Sequence, residues 1–236
     1  MARAEIFSPK QNRLLAALPD EDYQRIAIQL ELVSLPLGES IYEAGDKIEH
    51  IHFPINCILS LLYVMKNGSS AEIAVAGNEG LVGVALFMGG GSTPSRAVVQ
   101  SAGHSYRMKG VLLKQEFDQS HALQVRLLRF TQALITQMSQ TAVCNRHHSV
   151  DQQLSRWLLL SLDRLSSNKL EMTQELIANM LGVRREGVTE AAGKLQAKGI
   201  IQYSRGHITV LDRPKLESQV CECYQVVKTE YDRLLN

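Results

Sequence analysis

Apolar and polar positions repeat with two different periods along this chain, and the switch between them divides it. Two short stretches with helical spacing come first. KQNRLLAAL ends at Pro19, and DEDYQRIAIQL follows with acidic residues in its first turn, as a helix dipole favours. From Glu31 to about Lys109 the texture becomes β-rich, in the runs ELVSLPLG, SIYEAGD, HIHFPI, CILSLLYVM, AEIAVAG, SRAVVQSAG and HSYRM, separated by turn residues. Strands at that spacing predict a barrel or jelly-roll sandwich. KNGSS has the make-up of a hairpin tip, with Asn67-Gly68 suited to positive φ, and MGGGSTP reads as a loop at one mouth of the barrel.

Helical spacing returns with GVLLKQEFDQ. From His121 to about Asn145 nothing breaks it, a run of about 25 residues or roughly 37 Å. Leu127, Phe130 and Leu134 follow a 3-4 spacing, continued more weakly by Gln137, Thr141 and Cys144, while Leu128, Ile135 and Ala142 form a second row. A helix apolar on two sides can pack on its own domain and on a partner. The Leu127, Phe130, Leu134, Gln137 and Thr141 row is assigned to a coiled-coil homodimer seam; the alternative is a helix buried once, within one subunit. SVDQQLSRWLLLSLDRL is a further helix. The segment from Leu170 reads as helix, tight turn, helix and hairpin, and RPKLESQVCECYQVVKTEYDRLLN closes the chain as one amphipathic helix. The expected fold is α+β: a jelly-roll-like β-roll over residues 1–120, a dimerisation helix and hinge over 121–148, and a winged helix-turn-helix over 149–236.

The helix-turn-helix carries the candidate chemistry. Thr173 suits an N-cap, Ala178 allows close helix crossing, and Gly182 supplies the permissive backbone of a sharp turn. In the second helix Val188, Ala191, Ala192 and Leu195 follow core spacing, which turns Arg185, Glu186, Thr189 and Glu190 outward. Arg184 and Arg185 stand where unpaired backbone N–H groups already carry positive charge, a poor free helix end but a good anion clamp. Arg185 has the fork for guanine O6 and N7, and Glu186 can accept from cytosine N4. Arg205, at the tip of the following hairpin, can reach a flanking phosphate. The candidate DNA-binding residues are therefore Thr173, Gln174, Arg184, Arg185, Glu186, Thr189, Glu190, Lys194 and Arg205. Gly187 and Gly193 cost a helix roughly 1 kcal/mol each relative to Ala, tolerable if the backbone runs close to another surface.

Composition narrows the setting. The net charge of +1 over 236 residues confines any polyanion contact to a local patch. No apolar run approaches the roughly 20 residues that cross a bilayer, and MARAEIFSPK lacks a secretory h-region, so a cytoplasmic protein is expected. Four scattered cysteines, Cys57, Cys144, Cys221 and Cys223, do not make a disulfide scaffold. No G-x-S-x-G elbow or P-loop is present, and no enzyme is expected.

At these residues the chain resembles the Crp/Fnr superfamily of bacterial transcription regulators. TQELIANMLGVRREGVTEAAGKLQAKGII is similar to that family's helix-turn-helix, in which an Arg-Glu pair, here Arg185-Glu186, opens the recognition helix; the third base-reading position, commonly Arg, is Glu190. LGESIYEAGD resembles the start of the family's β-roll, with Gly38, Ile41, Gly45 and Asp46 in place and Asn56 where glycine is usual. The resemblance implies a homodimer on a two-fold symmetric operator in double-stranded DNA, with RNA polymerase as a further partner and an effector, small molecule or redox signal, in the β-roll. The matching effector positions are Gly83, Val84, Ser95 and Arg96. Val84 replaces the ribose-binding Glu and Ser95-Arg96 inverts the phosphate-binding pair, which argues against cyclic AMP. No cysteine precedes Cys57, which argues against an oxygen-sensing iron–sulfur cluster.

Two other readings stay open. HIH, at His50 to His52, with His104 as a third ligand, suggests a cupin-like metal enzyme, although Ile51 and Phe53 have the stronger claim on the interior. A regulatory subunit that senses nucleotides and binds no DNA is the other. Cys144 and His148 at i, i+4, and the CEC of Cys221 and Cys223, are candidates for zinc or redox sensing whose convergence depends on the fold.

Overall fold

The computed structural model describes residues 7–236; six of the ten residues that bear on an export signal lie outside the described residues. Two short helices, α1 (Arg13–Ala16) and α2 (Asp20–Ala27), come first, α2 opening on Pro19 with three acidic residues in its first turn. Seven antiparallel strands follow: β1 (Glu31–Leu35), β2 (Ser40–Tyr42), β3 (His50–Pro54), β4 (Ile58–Val64), β5 (Ser70–Ala76), β6 (Arg96–Ser101) and β7 (Gly103–Lys109). They form two sheets, β1-β7-β3 and β2-β6-β4-β5, sharing one core in which Ile51, Phe53, Leu59, Val99 and Met108 are buried. Gly68 turns the β4–β5 hairpin at φ +84°, and the Asn67 side chain accepts from the Ser69 amide. Asn56 has no positive φ; its side-chain oxygen accepts from the His104 amide at 2.6 Å and ties β3 to β7.

Helix α3 (Gly110–Gln119) leads into α4 (His121–His147), N-capped by Ser120. The seam assigned to this helix needs correction. Leu127, Phe130, Leu134, Gln137 and Thr141 are all buried within the chain itself. The reason is a layer no local pattern reveals: α9 (Glu222–Leu235) packs along α4 on one side and β5 on another. Gln137 joins the three, accepting from the Val75 amide at 2.9 Å and donating to the Val75 carbonyl at 3.1 Å and the Tyr231 hydroxyl at 2.6 Å. Phe130 lies on the bare Cα of Gly80, where an added Cβ would meet its ring at 1.9 Å. What α4 leaves exposed is the second row, Leu128, Ile135 and Ala142, with Val143 beside it.

A capping box at Ser149 and Gln152 starts α5 (Val150–Leu162) two residues after α4 ends. Strand β8 (Lys169–Glu171), which the apolar pattern does not announce, precedes α6 (Gln174–Leu181) and α7 (Arg185–Ala197). It joins β9 (Ile201–Ser204) and β10 (His207–Val210) in a sheet of order β8-β10-β9. The closing helix is also two: α8 (Arg213–Glu217) stops, and the chain restarts at α9 with Cys221 as its N-cap. Between the β-roll and α5 lies a buried ion pair. Arg164 donates from Nε to Glu79 at 2.7 Å and from Nη1 to the Leu160 carbonyl at 2.7 Å, while its guanidinium stands over the Tyr231 ring. The α6 face also rests on the roll, with Met180 against Leu62 and Val98.

Candidate nucleic-acid interface

Thr173 accepts from the Leu176 amide at 3.2 Å and starts α6; Gly182, at φ +67°, ends it in the left-handed conformation that allows the abrupt turn into α7. Val188, Ala191, Ala192 and Leu195 are buried, so α7 sits on α5 and α6 by its apolar stripe. The stripe's geometry leaves Arg184, Arg185, Glu186, Thr189 and Glu190 exposed. Arg184 is the N-cap residue without a capping side chain, and Arg185 occupies the first turn. The Gly187 and Val188 amides bond to the Arg184 carbonyl, which leaves those of Arg185 and Glu186 without a backbone partner among the described residues at this exposed helix start.

The hairpin tip is Arg205-Gly206. Arg205 takes φ +51°, and among the described residues it is the one non-glycine in that region. Such strain is held by its surroundings: the Gly206 carbonyl accepts from the Met172 amide at 2.7 Å, which pins the tip to the start of α6. A groove of about 490 Å3 results, lined by Thr173, Gln174, Glu175, Arg185, Tyr203, Ser204, Arg205 and Gly206. It unites three successive elements, the start of α6, the first turn of α7 and the β9–β10 hairpin. Arg184, Arg185 and Arg205 form no ion pair among the described residues.

Four of the residues assigned to DNA from the sequence, Gln174, Thr189, Glu190 and Lys194, have side-chain partners inside the chain. Thr189 donates to the Gln174 side chain at 2.8 Å, or back to the Arg185 carbonyl, so these two brace the helix pair against each other. Lys194 pairs with Asp151 at 3.1 Å and with Glu190 at 2.9 Å, which fixes α7 to α5. Gly187 lies at ordinary distance from Val150, and nothing among the described residues crowds Gly193. The sequence reading missed Tyr203. Its hydroxyl donates to the Met172 carbonyl at 2.8 Å; burial holds the phenol above its ordinary range and Arg185 pulls the other way, so the two are neighbours. Its place on the strand beside the wing tip was the available signal.

Gly83 and Val84 open a short 3-10 turn, Ser95 bonds to Thr93, and Arg96 faces Glu43 at 3.1 Å. The roll does hold a cavity of about 380 Å3, lined among others by Glu39, Tyr42, Lys47, His50, His52 and Arg107 and by none of those four. His52 is buried in its wall with Nδ1 unpartnered, and burial lowers it to about 4. Ile51 and Phe53 do take the core. His104, instead of joining His50 and His52, packs tilted against the Phe7 ring, 4.0 Å between centroids; register pairs His52 with Arg107, three residues along β7, which is about 10 Å away. Among the described residues, the one group of three or more His, Cys, Asp or Glu side chains close enough to share a metal is Cys144, His148, Cys221 and Cys223.

Residues 152–219 match the family model of the Crp-like helix-turn-helix domain. No curated protein matches the chain. Solved structures do. A putative transcriptional regulator of the Crp/Fnr family from Eubacterium rectale is similar over 92% of this chain and 99% of its own, at 17% identity and a TM-score of 0.69. FixK2 from Bradyrhizobium japonicum is similar over 81% and 98%, at 16% identity and 0.70. The c-di-GMP responsive regulator CLP from Xanthomonas campestris is similar over 82% and 100%, at 15% identity and 0.63. No helix among the described residues is long and apolar enough to cross a membrane.

Proposed function

With the chain sharing the Crp/Fnr fold and carrying a Crp-like helix-turn-helix over residues 152–219, we propose that it is a homodimeric transcription regulator that reads a two-fold symmetric operator with the N-terminal half of α7. In this reading residues 1–120 sense, 121–148 dimerise and transmit, and 149–236 bind DNA. One observation carries it: Arg185, Arg205, Gln174 and Tyr203 line a single open groove with Arg184 beside it, and the three arginines have no ion-pair partner among the described residues. A free cationic surface at a helix N-terminus suits the phosphate backbone, and the exposed Arg185-Glu186 pair suits base edges. Glu190, held by Lys194, braces the helix here.

The dimer would form through the row α4 leaves exposed. Leu128, Gln132, Ile135, Ser139, Ala142 and Arg146 succeed one another at spacings of four and three, a heptad stripe with apolar residues at its centre. A small effector would enter the roll cavity beside His52, whose size fits the 300–1,000 Å3 range of ligand sites.

Selection of bound duplexes from random DNA tests the reading. A palindromic consensus is expected. Arg185→Ala should relax preference at one position per half-site by about 1–3 kcal/mol, while Arg205→Ala should weaken all duplexes alike and reduce the salt slope by about 1. No enrichment, or two variants that bind as the parent does, would overturn it.

A further inference from the structure

The hinge between α4 and α5 carries a group of side chains that DNA binding does not use. Cys144 lies in the last turn of α4, His148 is its C-cap, Cys221 is the N-cap of α9 and Cys223 lies in the first turn of α9. All three thiols are buried. One continuous helix would send Cys221 and Cys223 to different faces; the break after α8 is what turns both toward α4. The four ligand atoms lie within 4.8 Å of one another. Cys144 Sγ is 3.6 Å from Cys221 Sγ, and Cys223 Sγ is 3.5 Å from His148 Nδ1.

We propose that Cys144, His148, Cys221 and Cys223 form a structural tetrahedral site for Zn(II) that clips the interdomain hinge to the C-terminal helix. The bond lengths agree. With Zn–S of about 2.3 Å and Zn–N of about 2.05 Å, tetrahedral angles put two sulfurs about 3.8 Å apart and a sulfur and nitrogen about 3.6 Å apart. The outer shell is present as well. With Nδ1 turned to the thiols, Nε2 of His148 faces the Glu222 carboxylate at 3.4 Å, the carboxylate–histidine arrangement that orients a metal-bound imidazole.

Charge is also provided for. Zn(II) displaces three thiol protons, and three thiolates with a neutral imidazole leave the site at −1. Buried Arg156 is the cation within electrostatic reach of Cys144; it donates to Thr141, one turn before Cys144, and its Nε has no acceptor among the described residues. A surface hollow lined by Cys221, Glu222 and Lys228 offers a way in. A Cys144–Cys221 disulfide would use two thiols and leave His148 and Glu222 without a part, so the metal accounts for more of what is there.

A consequence for regulation rests on the DNA-binding reading. The clip holds His148, two residues before α5 begins, and α5 is the helix on which α7 sits. Zinc would set the pitch of the reading heads, and its loss would free the hinge.

The test uses the full chain, purified under reducing conditions and reconstituted with Zn(II). We expect one zinc per chain by elemental analysis. Substituted Co(II) should give intense tetrahedral d–d bands and a thiolate charge-transfer band that Cys223→Ser diminishes. Glu222→Gln changes an exposed side chain, so folding is not at stake; it should weaken zinc about tenfold against a chelating dye. Failure to bind zinc, a Co(II) spectrum without thiolate character, or a Cys144–Cys221 disulfide in the freshly isolated protein would each overturn the site. Zinc-stripped protein should bind its selected duplex at least tenfold more weakly. Equal affinity would remove the regulatory consequence and leave the site standing; failure of both forms to bind any duplex would sink the DNA reading instead.

Discussion

Replacing Arg164 by Met probes the joint between the β-roll and the C-terminal half. Its guanidinium and the Glu79 carboxylate are 5% and 6% exposed, so neither can turn to water when the other is lost. Glu79 would keep its acceptor bond from the Gly77 amide at 3.1 Å but face no cation, and the Leu160 carbonyl would lose its donor. Breaking a buried pair from one side costs about 3–5 kcal/mol, most of it the uncompensated charge. At about 2–4 °C per kcal/mol for a chain of this size, melting should fall by roughly 6–20 °C. Far-UV circular dichroism on thermal and urea unfolding reads it. Glu79→Gln in the Arg164→Met background removes the stranded charge and should recover at least about 2 kcal/mol, because a neutral amide needs no cation. A single variant that loses less than about 1 kcal/mol would place the pair among ordinary surface ion pairs and refute the reasoning.

Three further outcomes follow from the packing. Ile135→Glu should give monomers by sedimentation with an unchanged melting temperature of the subunit, whereas Leu127→Ala should leave the oligomer intact and cost about 2–5 kcal/mol, since it opens a cavity inside the chain; the reverse pattern would restore the other row as the seam. Glu72 is buried and raised to about 7, by burial first, with Ser60 donating to it. Because the folded state holds that proton more tightly, its contribution to stability is complete below about 4.5 and lost as pH rises to about 7, whereas lowered His52 acts in the opposite sense from about 6.5 down to about 4. Glu72→Gln should therefore gain about 3 kcal/mol on the parent between pH 4.5 and 7, read by urea titration at each pH, and a pH-independent difference would deny the burial effect. Gly80→Ala puts a methyl into the Phe130 ring and should cost about 1–3 kcal/mol, with partial recovery in the Phe130→Leu background; no recovery would mean the clash lies elsewhere.

What the sequence determined by itself is local and periodic. β-rich runs between turn residues marked the strands of the β-roll, 3-4 spacing marked α4, and Val188, Ala191, Ala192 and Leu195 set which side of α7 faces in, which leaves Arg185 and Glu186 outside. Those are short-range consequences of backbone period and apolar burial. The tertiary structure decided what depends on distant layers. α9 lying along α4 buries the row through Leu127 and Leu134 and leaves Leu128 and Ile135 exposed, a choice between two faces that look alike in sequence. The wing tip meeting α6 brings Tyr203 and Arg205 to Arg185, and the break before Cys221 carries two thiols to Cys144 and His148. Spacing along one element cannot report contacts between residues some 75 positions apart, as Cys223 and His148 are; only chain packing brings such groups within bonding distance.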